Sequence, residues 1–420
     1  MTVINDKKIY SISIFFIILS FIYGFVTGEN SAGGGEIDYD HILNNYNLIF
    51  GNSFENIDWS KYRDSRFPLD YFFFKLYLPN SEFIWRLNIF IISFLTPFFL
   101  FLTLNYKIKF YPNLGVSKKY LLLLSLMIFL SPYFRTSAYW MLRENIGYFF
   151  WILSVYFLFK SKYENFSKIN ILCCSFFSFV SFYSSSNLFI IPIINFFLLI
   201  NISNILSKRN YYILIVNLIF FSPLIIFYDF FLNSLQYINS PDVNRIKYNF
   251  TKIVDLYSII FIYIIPIFFL YFSFDNFIKI IKSNLFKIIS FILFYIILFW
   301  NYPNYDFLSG GAIRKLLNLL IQDQFIFKIL YLSISGSSFL MAFYFALKIE
   351  KRLLYMIIPY TFFYTFVNYV FQEYLDPLFL LFIILYSKNF VEKSQAKILY
   401  LMSYFLLFFL SSYLYYSIKL

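Results

Sequence analysis

Gly33-Gly34-Gly35-Glu36-Ile37-Asp38-Tyr39-Asp40-His41 is the stretch around which this chain is organised, because it follows directly on the first long apolar segment. It holds three carboxylates within five residues and the only histidine of the chain. Hydrophobic residues make up 60% of the sequence and charged residues 13%. In a chain this rich in apolar residues, an acidic cluster at the end of an apolar run indicates a functional site at the membrane surface.

The composition of the chain predicts a membrane protein. Soluble globular proteins carry about a quarter charged residues, almost twice the fraction found in these 420 residues. Apolar runs of about 20 residues recur along the whole length, which is typical of membrane-spanning helices. No alternating pattern of a spanning strand is present, so the spans must satisfy their backbone hydrogen bonds as helices. We expect an all-α polytopic protein with a single transmembrane domain over residues 1–420.

About thirteen spans are predicted, the first of them an uncleaved segment that follows Lys7 and Lys8. Four of them are short for a full crossing and are expected to tilt or to enter the bilayer and return. These four are 119–134, 145–160, 169–184 and 374–387. The other nine are 9–27, 83–104, 187–206, 211–230, 255–274, 285–301, 326–347, 352–370 and 397–418.

The charges of the loops predict the orientation. With the N-terminus in the cytoplasm, 20 of the 34 basic residues and only five of the 22 acids fall inside. This asymmetry follows the positive-inside rule, and we expect a protein of the bacterial inner (plasma) membrane. The long segments then all lie outside, and site residues are expected there. They are the first outer loop 28–82 and the further outer loops 135–144, 231–254, 302–325 and 371–373.

The first outer loop is predicted to contain helices that lie along the membrane interface. Ile42–Phe50 has helical apolar spacing and Gly51 would end it, while Pro68 suits the first turn of another helix. If the helix extends back to the acids, Glu36 and Asp40 share one face. A carboxylate there can take a proton from a hydroxyl group. The alternatives are a solvated loop with scattered acids, or a site for a divalent cation such as Mg or Mn.

Basic residues of the other outer loops are candidates for binding an anion. Arg135 and Arg143 lie eight residues apart with Trp140 between them, and an arginine pairs well with phosphate through its planar fork. Arg143 and Glu144 stand at the head of a span, where charge is costly. Interfacial anchoring is the alternative for all of them. Arg245 belongs to the loop 231–254, and Arg314 follows Gly310-Gly311, whose backbone N–H groups can face an anion.

Three short motifs resemble the GT-C superfamily of polyprenyl-phosphate-sugar glycosyltransferases. Asp38 to His41 stand where some members carry an Asp-Glu-x-x-His pattern, after span one. Arg66-Phe67-Pro68-Leu69-Asp70-Tyr71 looks like their Pro-Pro-Leu-Tyr segment. Phe371-Gln372-Glu373-Tyr374-Leu375-Asp376-Pro377 is similar to their Arg-Tyr-x-x-x-Pro element, with Glu373 at the place of the arginine. The layout of the spans looks most like the dolichyl-phosphate-glucose glucosyltransferase branch.

The resemblance implies a transferase that moves a sugar from a polyprenyl-phosphate donor to a glycan, lipid or protein acceptor on the outer face. It implies an acid of the first loop as the base or the group that orients the acceptor, with the other polar residues binding substrate. A surface-polysaccharide polymerase and a lipid-linked oligosaccharide transporter are the alternatives, and nothing indicates nucleic acid as a partner. The candidates are Asp38, Asp40 and Glu36 for catalysis and His41, Arg66, Arg135, Trp140, Arg143, Glu144, Arg245, Arg314 and Glu373 for substrate.

Overall fold

The structure is a computed structural model. It describes residues 3–419 apart from 54–55, 59–60, 63–67, 69–70, 72–74, 76–80, 111–115, 201–205, 227–247, 303–308, 368 and 388. The described residues form helices and their connections, which confirms the all-α class. The chain divides into two compact units, Met1–Ile238 with Phe405–Leu420, and Asn239–Tyr404. The single transmembrane domain stays a prediction.

The first unit contains the helices of the N-terminal half. Two 3-10 turns, Met127–Leu130 and Ser186–Leu188, connect some of them. The α-helices are α1 (Val3–Thr27), α2 (Gly35–Phe50), α3 (Glu82–Phe110), α4 (Lys118–Leu126), α5 (Pro132–Tyr139), α6 (Glu144–Tyr163), α7 (Lys168–Ser184), α8 (Ile190–Leu199) and α9 (Lys208–Ile226).

The second unit is arranged around one almost fully buried helix, which packs against several of its neighbours. Its 3-10 turns are Lys351–Leu353 and Gln372–Tyr374. The helices are α10 (Lys252–Tyr271, the buried one), α11 (Phe274–Leu298), α12 (Gly311–Leu320), α13 (Gln324–Lys348), α14 (Leu354–Tyr364), α15 (Leu378–Tyr386), α16 (Phe390–Gln395) and α17 (Ile398–Lys419). The last of these begins in the second unit and ends in the first.

Six helices of the described chain are long and apolar enough to cross a membrane: α1, α3, α10, α11, α13 and α17. A seventh span results if α4 and α5, which meet at an angle of 71°, are counted as one bent segment. A helix lies at every one of the thirteen predicted spans, but several are shorter than the roughly 20 residues of a full crossing. The membrane character is therefore supported, and the count of thirteen stays a prediction.

The break between α4 and α5 has a local cause. Ser131 has an extended backbone, and its side-chain oxygen accepts a hydrogen bond from the N–H of Phe134 at 3.0 Å. Pro132 occupies the first position of the new helix, where its missing N–H costs no hydrogen bond. A cap of this kind starts a second helix in a new direction, and it turns α5 away from the axis of α4.

The first loop contains the expected helix, α2. It runs from Gly35 to Phe50 and ends at Gly51, which confirms the sequence prediction. Its apolar residues pack into a cluster whose buried members come from the first loop, from α3, from the segment after α5 and from the first turn of α6. They are Ile42, Tyr46, Ile49, Phe50, Ile57, Tyr62, Tyr71, Trp85, Ile89, Met141, Leu142 and Ile146. The loop is therefore anchored to the helical core of its unit.

Close contact between α6 and the end of α7, with the 3-10 turn that follows it, depends on a glycine. A Cβ atom on Gly147 would come within 2.9 Å of Leu188 Cδ1 and 3.0 Å of Ser185 Cβ. The carbonyl of Gly147 accepts a hydrogen bond from Ser181 Oγ at 2.9 Å. Small residues at helix contacts in membranes allow this approach of two backbones.

We expect Gly147→Val to destabilise the first unit, because overpacking a close helix contact costs about 1–3 kcal/mol. Thermal unfolding of the purified protein in detergent measures the effect. Leu153→Val, at a half-buried position of the same helix, is the matched control and should unfold close to the wild-type temperature. An equal effect of both substitutions would contradict the packing argument.

Candidate functional site

The end of α1 places Glu29 at the start of the first loop. Gly28 has a positive φ of 65°, the conformation that ends many helices and that glycine adopts without strain. The N–H of Glu29 donates to the carbonyl of Gly24 at 2.9 Å, and that of Gly28 donates to Phe25 at 3.4 Å. This pair of bonds is a Schellman motif, and it directs the Glu29 side chain toward α5.

Glu29 pairs with Arg135 in a buried ion pair. Arg135 Nε donates to Glu29 Oε1 at 2.7 Å and Nη2 donates to Oε2 at 2.5 Å. The side chains are 2% and 7% exposed. The remaining N–H groups of Arg135 donate to the carbonyl and hydroxyl oxygens of Ser20 and to the carbonyl of Phe129. All five donors of this guanidinium are therefore used inside the protein.

The chain after Glu29 lies along α5. Ala32 N–H donates to Thr136 Oγ1 at 3.0 Å, and Ser31 Oγ donates to the carbonyl of Pro132 at 3.2 Å. Trp140 Nε1 donates to the carbonyl of Glu29 at 3.0 Å. These bonds fix the glycine stretch and the beginning of α2 beside α5.

The three predicted catalytic acids lie in the first turns of α2, where Glu36 and Asp40 share one face and Asp38 lies one turn before the buried Ile42. The side chains of Glu36, Asp38 and Asp40 are all exposed, and so is that of His41. Within the described part of the chain, neither Glu36 nor Asp40 forms an ion pair or a side-chain hydrogen bond. Their neighbour Tyr39 points the other way and meets the Trp140 ring edge-on, with the ring centroids 5.8 Å apart.

The Asp and His residues of this loop make a site for a divalent cation one of the alternatives predicted for it. Among the residues that the structure describes, no group of three or more His, Cys, Asp or Glu side chains is placed to hold a metal ion. The acids of α2 therefore give no geometric support to a metal site, and the cation stays a prediction.

Arg143 lies in the aromatic cluster beneath α2. It is fully buried, its Nη1 donates to Tyr62 Oη at 3.1 Å, and its guanidinium stands 4.6 Å from the centre of the Tyr71 ring. Met141, two residues before Arg143, has a φ of 60°, which is uncommon for a residue with a side chain. Glu144 begins α6 and is half-buried. Arg143 thus contacts the first loop through rings and a hydroxyl group.

A second buried ionic cluster lies in the second unit, around Asp255 of α10. Asp255 is fully buried, and its carboxylate lies 3.6 Å from Lys252 Nζ and 3.6 Å from Arg314 Nη1. Hydroxyl groups complete its surroundings: Ser309 Oγ donates at 2.6 Å, Tyr331 Oη donates at 2.9 Å, and Tyr302 also donates. A buried charge needs partners of this kind.

Tyr302 joins the acid and the arginine of this cluster. Its hydroxyl group donates to Asp255 and accepts from Arg314 Nη1. Burial, followed by the neighbouring Tyr331 and the Asp255 carboxylate, raises the pKa of the Tyr302 phenol well above its ordinary value. The phenol therefore stays protonated and serves as a neutral donor over the physiological pH range.

Glycines bring the start of α12 close to this cluster. Gly310 has a φ of 90°, and a Cβ atom there would lie 3.0 Å from Asp255 Oδ1. The next residues lie against Gln372, whose Oε1 accepts from the N–H of Ala312 at 2.7 Å. Gln372 therefore caps the first turn of α12 from the turn Gln372–Tyr374, which also contains the half-buried Glu373.

The structure places the predicted site residues in two different units. In the first unit Trp140 joins the first loop to α5, and Arg135 and Arg143 lie on either side of it along the chain. Arg135, predicted as a substrate-binding residue, has its N–H groups on Glu29, Ser20 and Phe129. Arg314 belongs to the second unit. Arg66 and Arg245 lie outside the described residues.

Two charged residues of these clusters were missed by sequence reasoning. Glu29 stands directly after the first span, and Asp255 stands at the head of a later one. Both carried the signal that drew attention to Arg143, namely a charge close to bilayer depth. The partner of each could not be found in the same way, because Glu29 and Arg135 are 106 residues apart.

Comparison with protein-family models, with curated proteins and with solved structures finds no match for this chain. The resemblance to GT-C enzymes therefore rests on the short motifs of the sequence.

We expect removal of either half of the Glu29–Arg135 pair to destabilise the first unit strongly. Glu29→Ala or Arg135→Ala leaves an uncompensated buried charge, which costs about 3–5 kcal/mol. The double variant should be less destabilised than the sum of the single ones, since neither charge is then left alone. The measurement is a double-mutant cycle, in which thermal unfolding is followed for the wild type, the two single variants and the double variant.

The exposed pair Asp58–Lys61, at 3.4 Å in the same loop, supplies the control for this cycle. Exposed pairs contribute about 0–1 kcal/mol, so Lys61→Ala should unfold near the wild-type temperature. Additive effects of the Glu29 and Arg135 substitutions would contradict the buried pair.

We expect Asp255→Asn to destabilise the second unit. This substitution keeps the shape of the side chain but removes the charge that faces Lys252 and Arg314. The unfolding temperature should drop clearly, because two buried cations lose their carboxylate. Asp275→Asn, at an exposed acid in the first turn of α11, should leave it nearly unchanged. A wild-type unfolding temperature for Asp255→Asn would overturn the importance assigned to this cluster.

Proposed function

We propose that this protein is an integral membrane glycosyltransferase of the GT-C type. It moves a sugar from a polyprenyl-phosphate donor to an acceptor hydroxyl group. Asp38 is the first candidate for the acid that activates or orients the acceptor, followed by Asp40 and Glu36. The observation that supports the proposal best is that all three carboxylates are exposed in the first turns of α2, while the apolar residues of the same helix are anchored to the core of the first unit.

Anchoring matters because a general base must be held in place when the acceptor arrives. The start of α2 is held by the bonds that residues 29, 31 and 32 form with α5 and Trp140, and its end is fixed by packing of Tyr46 and Phe50 on Trp85. The exposed acids are thus rigid at the backbone and open to an acceptor from solution. Holding a catalytic group in a productive geometry is a large part of enzymatic rate enhancement.

The two outer-loop arginines receive different roles in this proposal. Arg135 uses all five N–H groups on protein acceptors, so it acts by holding the first loop in position. Arg143 is buried beneath the aromatic cluster, and Trp140 supplies a ring beside α2 on which a sugar can stack. His41, Glu144, Arg314 and Glu373 remain candidates for contacts with substrate.

We also propose a location and an orientation. The N-terminus lies in the cytoplasm of a bacterium, the protein lies in the inner (plasma) membrane, and α2 lies on the outer face. The distribution of basic residues among the loops supports this orientation. A cysteine placed at Asn44, an exposed position of α2, should then react with a membrane-impermeant thiol reagent from outside.

The experiment for the function is sugar transfer in membranes that contain a radiolabelled polyprenyl-phosphate sugar. Loss of a general base lowers the rate by about 10²- to 10⁴-fold, so Asp38→Asn or Asp40→Asn should lower transfer to that extent. Asn44→Ala, on the exposed side of the same helix, is the control and should retain wild-type activity.

Two results would contradict the proposal. Full transfer activity in the Asp38, Asp40 and Glu36 variants would remove the catalytic assignment. A product that grows by whole repeat units instead of one sugar would favour the polymerase alternative.

A further inference from the structure

A cleft of about 410 Å³ lies in the first unit, where α1 ends and α3 begins. Both helices are long and apolar enough to span the membrane, so the cleft lies at the level where two spans end. Only one of its residues carries a formal charge. The lining residues are Phe25, Val26, Thr27, Gly28, Phe83 and Arg86.

The charged residue, Arg86, is held in a defined orientation. Its Nε donates to the carbonyl of Tyr139 at 2.6 Å, at the end of α5, where helix carbonyls lack partners within the helix. Its guanidinium stands 5.4 Å from the centre of the Phe25 ring and 5.6 Å from that of Trp140. The guanidinium therefore lies near two rings, and its Nη2 lies 4.0 Å from the position that a Cβ atom on Gly28 would take, beside the cleft.

The outer edge of this guanidinium is available for a ligand. Within the described chain, Nη1 and Nη2 of Arg86 have no hydrogen-bond acceptor. Glu82, one turn earlier, interacts with the Arg86 charge through space but forms no ion pair within 4.0 Å. Arg135 nearby differs, since all of its donors are used. Two adjacent N–H groups on a planar fork match a pair of phosphate oxygens.

The walls of the cleft suit an acyl chain. Val26 is 76% exposed and Phe83 is 65% exposed, at the ends of helices that are candidates for spanning the bilayer. Apolar side chains in that position face lipid, whereas an arginine there places its charge at headgroup level. The cleft therefore presents a cation directly beside an apolar surface.

We propose that this cleft binds a membrane lipid with a terminal phosphate group, the phosphate on Nη1 and Nη2 of Arg86 and the start of the acyl chain on Phe25, Val26 and Phe83. The proposal goes beyond the transferase activity and does not depend on it, because lipid binding is measured without sugar transfer. Arg86 was not among the candidates predicted from sequence.

The test is equilibrium binding of labelled phosphatidic acid to the purified full-length protein in an uncharged detergent. Arg86→Gln should weaken binding about tenfold, which corresponds to about 1.4 kcal/mol. Arg86→Lys keeps the charge but loses the fork, so its affinity should lie between those of the wild type and Arg86→Gln. Arg209→Gln is the matched control, because Arg209 is also half-buried and stacked on a ring, that of Phe166 at 3.8 Å.

A second measurement keeps the proposal testable if Arg86→Gln does not fold. A photoreactive phosphatidic acid, cross-linked to the wild-type protein, should label peptides that contain residues 25–28 or 83–86. Wild-type affinity in Arg86→Gln, equal loss in Arg209→Gln, or labelling only of other peptides would each overturn the proposal. Equal competition by inorganic phosphate or by phosphatidylcholine would also overturn it, since the site would then not select a lipid with a terminal phosphate.

Discussion

The ion pair between Glu29 and Arg135 is the interaction on which the arrangement of the first unit depends. It joins the end of the first span to α5, the short helix that begins after the break at Ser131. A buried pair is stable only when the remaining donors and acceptors are also satisfied. Here the five donors of Arg135 are satisfied by Glu29, Ser20 and Phe129, so the pair fixes the place where the first loop begins.

The rest of the first loop follows from this fixed starting point. Ser31 and Ala32 are hydrogen-bonded to α5, and α2 then packs its apolar residues on Trp85 and on residues after α5. The acids lie in the first turns of α2 and remain exposed, whereas the buried apolar residues of this helix begin at Ile42. The same constraint shapes the cleft, because Trp140 bonds to Glu29 and stacks near Arg86. The second unit also stabilises a buried charge by surrounding it with partners. There, hydroxyl groups and two cations surround Asp255.

The sequence allowed the helices to be predicted but not their partners. Apolar runs placed a helix at every expected span, and the spacing of Ile42–Phe50 with Gly51 predicted the end of α2. The number of crossings could not be settled in this way, since helices such as α8, with ten residues, are shorter than a bilayer core. The sequence also did not predict which carboxylate binds Arg135. The sequence predicted Arg135 as a group that binds an anionic substrate, whereas the Schellman motif at Gly28 directs the carboxylate of Glu29 to it.

The most direct measurement is an experimental electron-microscopy map of the full-length protein in a lipid bilayer, at a resolution that shows side chains at the end of α1. The account predicts density for both Arg135 guanidinium branches against the Glu29 carboxylate, with the indole of Trp140 on the Glu29 carbonyl. A map with Glu29 turned toward solvent and Arg135 bound to another acid would contradict it.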